Sequence, residues 1–172
     1  MRHWALSATA IGAAILISSS GSASPAQGVV SGSYVLDEER SDDAFQAIES
    51  AIAGLSNAKR PLARMRLRKS IATDRIRISL AAGRFSIKYD AKTPIVVWLS
   101  GEPIKWKLAE GFVFDVSAKA NGDAISLTLR GADNERTIVY RSDGQQLVAE
   151  TIITSPLLSA PIRYRVVYNR AS

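Results

Sequence analysis

From Arg75 almost to the last residue, hydrocarbon and polar side chains alternate with period two. The segments RIRISL, RFSIKY, PIVVWL, IKWKL, FVFDVSA, AISLTLR, RTIVYR, LVAETIIT and IRYRVVYN each follow this pattern, which places apolar residues on one face of a strand and polar residues on the other. In the first two, Ile76, Ile78 and Leu80 share a face, as do Phe85, Ile87 and Tyr89, while Arg75, Arg77 and Ser79 meet water. The separators are turn residues: Ala82-Gly83, Gly101 with Pro103, Glu110-Gly111, Asn121-Gly122-Asp123, Asp133-Asn134 and Asp143-Gly144. Short strands joined by tight turns predict an antiparallel meander.

Before Arg75 the period changes. A brief strand, Gly32 to Asp37, puts Tyr34 and Leu36 on one face. Ser41 is expected to cap a helix whose first turn holds Asp42 and Asp43, and Phe45, Ile48, Ile52 and Leu55 recur at helical spacing. Gly54 and Asn57 are expected to end it. Residues 61–69 fit either period: Pro61 suits a helix start, and Arg64-Met65-Arg66-Leu67-Arg68 also alternates as a strand would. Helix is the favoured reading.

About ten strands with one apolar face must bury that face against itself, and closure also removes exposed sheet edges. The fold class is therefore mainly β: an antiparallel up-and-down barrel or clam of about ten strands, with a helix-turn-helix after the first strand.

The first residues add a compartment. Arg2, an apolar run from Ala5 to Ile17 and small residues around Ala23 and Ala26 have the three parts of a secretory signal peptide. That run is shorter than the roughly 20 residues a bilayer span needs. Residues 1–23 are read as a cleaved signal peptide, 24–31 as a disordered leader rich in Ser, Gly and Ala, and 32–172 as a single domain. A periplasmic or secreted location is expected.

Cleavage would remove Arg2, lowering the formal charge from +6 to +5, and would take away His3, the single histidine. The chain has no cysteine. A mature chain of this kind lacks the side chains for Ser-His-Asp or Cys-His catalysis, thiol redox chemistry and His/Cys zinc sites. No disulfide can staple it, so core burial must hold the fold. There is no Gly-rich phosphate loop and no calcium loop, and no cofactor or metal is expected. Glu38, Glu39, Asp42 and Asp43 are explained by a helix start, and Asp115 should point outward under the alternation. An inward Asp115 would be a candidate acid or base. No catalytic pair emerges from spacing, so an enzyme is not expected.

In element order, one strand, a helix-turn-helix and about nine strands, the chain resembles the fatty-acid-binding proteins of the calycin group, relatives of the lipocalins. Their opening Gly-x-Trp-x-Leu is similar to Gly32-Ser33-Tyr34-Val35-Leu36, with Tyr replacing Trp, followed by the acidic helix start at Asp42 and Asp43. The resemblance implies a ten-stranded barrel with a helical lid over a cavity that holds a lipid or another apolar small molecule. In that family an Arg-x-Tyr on the last strand often holds the ligand carboxylate. Here Arg163-Tyr164-Arg165-Val166-Val167-Tyr168 lacks the motif. The ending TSPLLSAPIRYRVVYNR also resembles exported bacterial proteins of unassigned function.

Two sets of candidate binding residues follow. Tyr34, Tyr89, Trp98, Trp106, Phe114 and Tyr140 are candidates to line a cavity, with Phe45, Ile48 and Ile52 facing it from the lid. The same residues equally fit a packed core, because a barrel of this size is either filled by its own side chains or holds one small ligand. Lys59, Arg60, Arg64, Arg66, Arg68 and Lys69 form the densest charge cluster, suited to an anionic membrane or polymer surface or else to a solvated face. A nucleic-acid partner is not expected, given the export signal, the modest charge and the lack of a recognition motif.

Overall fold

The computed structural model describes residue 29 and residues 31–68, 73–90, 92–108 and 111–171. Strand β1 (Gly32–Asp37) leads into helices α1 (Ala44–Ile52) and α2 (Arg60–Arg68). Nine strands follow: β2 (Arg75–Ala81), β3 (Arg84–Tyr89), β4 (Ile95–Trp98), β5 (Ile104–Lys107), β6 (Val113–Asn121), β7 (Ala124–Arg130), β8 (Glu135–Asp143), β9 (Gln146–Thr154) and β10 (Ile162–Arg170). They form one antiparallel sheet in the order β4-β3-β2-β1-β10-β9-β8-β7-β6-β5. The first strand therefore sits between β2 and the last strand, and the sheet curls until its two ends meet.

That meeting is a seam, because β4 and β5 do not pair along their length. Among the described residues, an isolated bridge from Ser100 to Lys119 on β6 holds the β4 end against the other side. Gly101 follows directly at φ 88°, and a side chain there would run into Lys119. A residue without a Cβ is required at this closure for both reasons.

The alternation is realised. Ile76, Ile78, Phe85, Ile87, Ile95, Val97, Ile125 and Leu127 are at most 2 % exposed, while Arg75, Arg77 and Arg84 on the same strands face water. Each such apolar side chain contributes about 1.5–3 kcal/mol through burial, which suits a chain with no disulfide. Residues 61–68 are helix, as the reading from Pro61 favoured.

The entry to α1 differs in detail from expectation. Asp43, not Ser41, is the cap: its carboxylate accepts the Gln46 N–H at 2.9 Å. Ser41 instead ties the helix to the sheet, its hydroxyl donating to the Asp37 carbonyl at 2.6 Å and accepting the Val167 N–H at 2.9 Å. Asp42 lies outside the helix and exchanges two bonds with Arg165: its N–H donates to the Arg165 carbonyl at 2.8 Å and its carboxylate accepts the Arg165 N–H at 2.7 Å. Helix α1 ends at Ile52, ahead of Gly54, and Arg60 reaches back to donate to the carbonyls of Ala53 and Leu55. The packed domain also extends back beyond Gly32. Val29 is buried in the core, and Ser31 accepts the Leu80 N–H at 2.8 Å. The expected signal peptide lies outside the described residues.

Candidate functional site

The barrel interior is part packed core and part cavity. Ile78, Phe85, Ile87, Ile95 and Val97 from β2 to β4, with Ile48 and Ile52 from α1, pack into continuous core. Along β5 to β10 the inward side chains leave a cavity of about 960 Å³. Its mouth is bordered by α2 and by the β3–β4, β5–β6 and β7–β8 loops, which contribute Arg66, Thr93, Phe112 and Asp133 among others.

Four of the nine residues proposed to line a cavity or face it from the lid do so: Tyr89, Trp106, Phe114 and Tyr140; Ile52 is fully buried in the packed core instead. Trp106 and Phe114 are cross-strand partners on β5 and β6, with ring centroids 6.1 Å apart and tilted by 41°. Tyr34 and Ile48 are buried but packed in the core instead. Phe45 and Trp98 are on the outer surface. Phe45 is 51 % exposed beneath the Arg68 guanidinium, and Trp98 is 42 % exposed with Arg84 stacked 4.3 Å above its ring. Each gains a cation–π contact there that an apolar cavity would not supply.

The cavity also holds polar groups that the candidate set omits. Arg136 and Thr151, both buried, face it from β8 and β9, and Tyr164 and Tyr168 face it from β10. Arg136 shares its strand face with Ile138 and Tyr140, two and four residues on, so the period-two rule points it inward. A cation inside an apolar barrel is costly unless solvated or compensated, which marks this wall as the polar end of the site.

The tyrosines form a protonated floor. The hydroxyls of Tyr89 and Tyr140 are 2.6 Å apart, and the Tyr140 ring lies against Phe85 at 5.9 Å. Burial pushes the Tyr89 phenol up to about 12, against the opposing pull of its bond to Tyr140 and of the Arg136 charge. Burial raises Tyr140 and Tyr168 as well, reinforced in each by the Tyr89 phenol. All three stay phenols, not phenolates, at neutral pH.

The basic cluster is largely engaged with the protein itself. Glu49 on α1 accepts from both Arg64, at 2.6 and 2.7 Å, and Arg68, at 2.9 Å. The Arg64 hydrogen bonds hold its carboxyl below the usual carboxylate range. Arg66 pairs with Asp133 at 2.8 Å, linking α2 to the β7–β8 loop across the mouth, and Arg60 caps carbonyls. Lys59 is exposed, and Lys69 lies outside the described residues. Asp115 points outward, paired with Lys105 at 2.7 Å. Among the described residues, no three His, Cys, Asp or Glu side chains gather where they could hold a metal ion.

No family model matches the sequence, and no curated protein matches it by sequence. Solved structures do match it by shape. A REP1-NXSQ fatty acid transporter superposes with a TM-score of 0.54 at 16% identity, over 83% of this chain and 96% of that one. Human cRBP IV gives 0.56 at 16% identity over 83% and 98%. A secretary abundant heat soluble protein from Ramazzottius varieornatus gives 0.58 at 10% identity over 82% and 94%. The chain has the calycin barrel fold of the fatty-acid-binding-protein type.

Proposed function

We infer that the protein is a non-enzymatic carrier or sequestering protein that binds one apolar small molecule or lipid inside its barrel, in an exported compartment. The cavity carries this reading. Its volume of about 960 Å³ is near the upper end of the range for sites that enclose a small ligand, roughly 300–1,000 Å³. Trp106, Phe114, Leu129, Ile138 and Ile153 supply apolar wall, and Arg136, Thr151 and the tyrosine hydroxyls supply a few fixed polar contacts. Fold relatives described as a fatty acid transporter and a fatty-acid-binding protein from Echinococcus granulosus support the ligand class. Arg136 suits a ligand whose polar end is anionic or accepts hydrogen bonds, and it offers this from β8 where the last strand lacks Arg-x-Tyr. Export rests on the leader sequence alone.

The test is native mass spectrometry of protein purified gently from its own host, followed by solvent extraction and by titration with an apolar fluorescent probe. A released apolar compound, and probe uptake at one equivalent, are expected. Replacing Trp106 or Tyr140 with alanine should weaken retention, and replacing the surface residue Trp98 should not. A single bare mass together with no probe uptake would overturn the reading.

A further inference from the structure

The cavity wall contains one hydrogen-bond donor with nothing to bond. Trp106 is 8 % exposed and borders the cavity, and its indole Nε1 is buried without a hydrogen-bond partner. Buried indole N–H groups ordinarily find an acceptor, because leaving one unpaired forfeits its hydration. The neighbouring aromatic, Phe114, 6.1 Å away between ring centroids, carries no oxygen or nitrogen to accept it. The cross-strand register gives β5 a partner only on its β6 side, so the wall on the other side is the barrel seam and not another strand.

We propose that the bound molecule carries a neutral acceptor oxygen, as a ketone, ester, ether or alcohol does, which pairs with the Trp106 N–H and makes Trp106 a specificity-determining residue. This rests on the reading of the cavity as a ligand site. The nitrogen is sealed in this structure, so the pairing requires the indole to turn toward the cavity that it borders. The acceptor is a second polar point on the ligand, on the β5 wall, distinct from the end that faces Arg136 on β8. A plain hydrocarbon chain at that wall would leave the donor orphaned. Sites built around a donor reject the analogue that lacks the acceptor.

The experiment uses a panel of C16 ketones, the carbonyl stepped along the chain, with hexadecane as reference, all delivered from cyclodextrin. Displacement of the apolar fluorescent probe is measured on the parent and on Trp106→Phe, and the indole N–H resonances are followed in the tryptophan-¹⁵N-labelled parent. The best ketone should displace the probe about tenfold more tightly than hexadecane, and Trp106→Phe should bring the ratio near one. The Trp106 resonance should move downfield with that ketone and not with hexadecane. This last measurement needs no variant, so it stands even if Trp106→Phe folds poorly. Equal displacement by ketones and hexadecane, with no indole shift, would mean that the ligand does not reach the N–H; the proposal would fall and the apolar-ligand reading would survive. If neither displaces the probe, both fall.

Discussion

The paired hydroxyls of Tyr89 and Tyr140 give the sharpest test of the site's energetics. Their separation of 2.6 Å is short for an O–H···O bond, and the Tyr140 side chain is 1 % exposed. Tyr89→Phe would leave the Tyr140 hydroxyl deep in the barrel with its partner gone, at a cost of about 2 kcal/mol. Tyr140→Phe leaves the hydroxyl of Tyr89, a residue that is only partly buried, so about 1 kcal/mol is expected. Replacing both removes donor and acceptor together, and the double variant should lose about 1 kcal/mol, well below the sum. A double-mutant cycle by urea denaturation, followed by circular dichroism, should therefore return a coupling of about 1–2 kcal/mol, and midpoints in heating should shift by roughly 2–4 °C per kcal/mol. Single costs that add to within about 0.3 kcal/mol would refute the view that the two hydroxyls satisfy each other.

Three further outcomes follow from the same geometry. Because burial raises the phenols of Tyr89, Tyr140 and Tyr168, their contribution is fully present below the ordinary value of 10.0. Above pH 10 the unfolded chain gives up these protons first, so stability should fall toward pH 12 by up to ~1.4 kcal/mol per pH unit for each tyrosine, as read from urea midpoints at stepped pH. Gly101→Ala should lower stability by about 1–3 kcal/mol through its φ of 88° and the contact with Lys119, and adding Lys119→Ala should recover only the steric part. Asp133→Asn breaks the half-exposed Arg66 pair at the mouth and should speed probe release by no more than about fivefold in low salt, with the difference vanishing near 1 M salt in stopped-flow traces.

The strands were legible because burial of one face imposes period two, and six of the eight connections between β2 and β10 carry residues suited to a tight reversal. The same rule, applied strictly, sorts the tryptophans. In β4 the inward positions are Ile95 and Val97, which puts Trp98 outside, and aromatic character alone had suggested otherwise. It also turns Arg136 inward beside Ile138 and Tyr140, although charge suggests water. Phe45 sits at the margin of the stripe formed by Ile48 and Ile52, where a contact with Arg68 decides its side. The cavity itself was not legible. Its volume is the difference between the space ten curled strands enclose and the side chains that enter it, and curvature is set by long-range pairing. Ser41 and Asp42 were misplaced for a related reason: their partners, Val167 and Arg165, are more than a hundred residues away.

A cavity set within the core would link folding to any molecule bound there. The walls of β5 to β10 share one core with β2 to β4 and α1, but their cavity-facing side chains make further van der Waals contacts only with whatever occupies about 960 Å³ between them. An occupant is then part of the core in thermodynamic terms, and free ligand at a hundred times its dissociation constant adds about 2.7 kcal/mol to the stability of the whole chain. With no cysteine to staple it, the protein would register the supply of its ligand as its own resistance to unfolding and proteolysis.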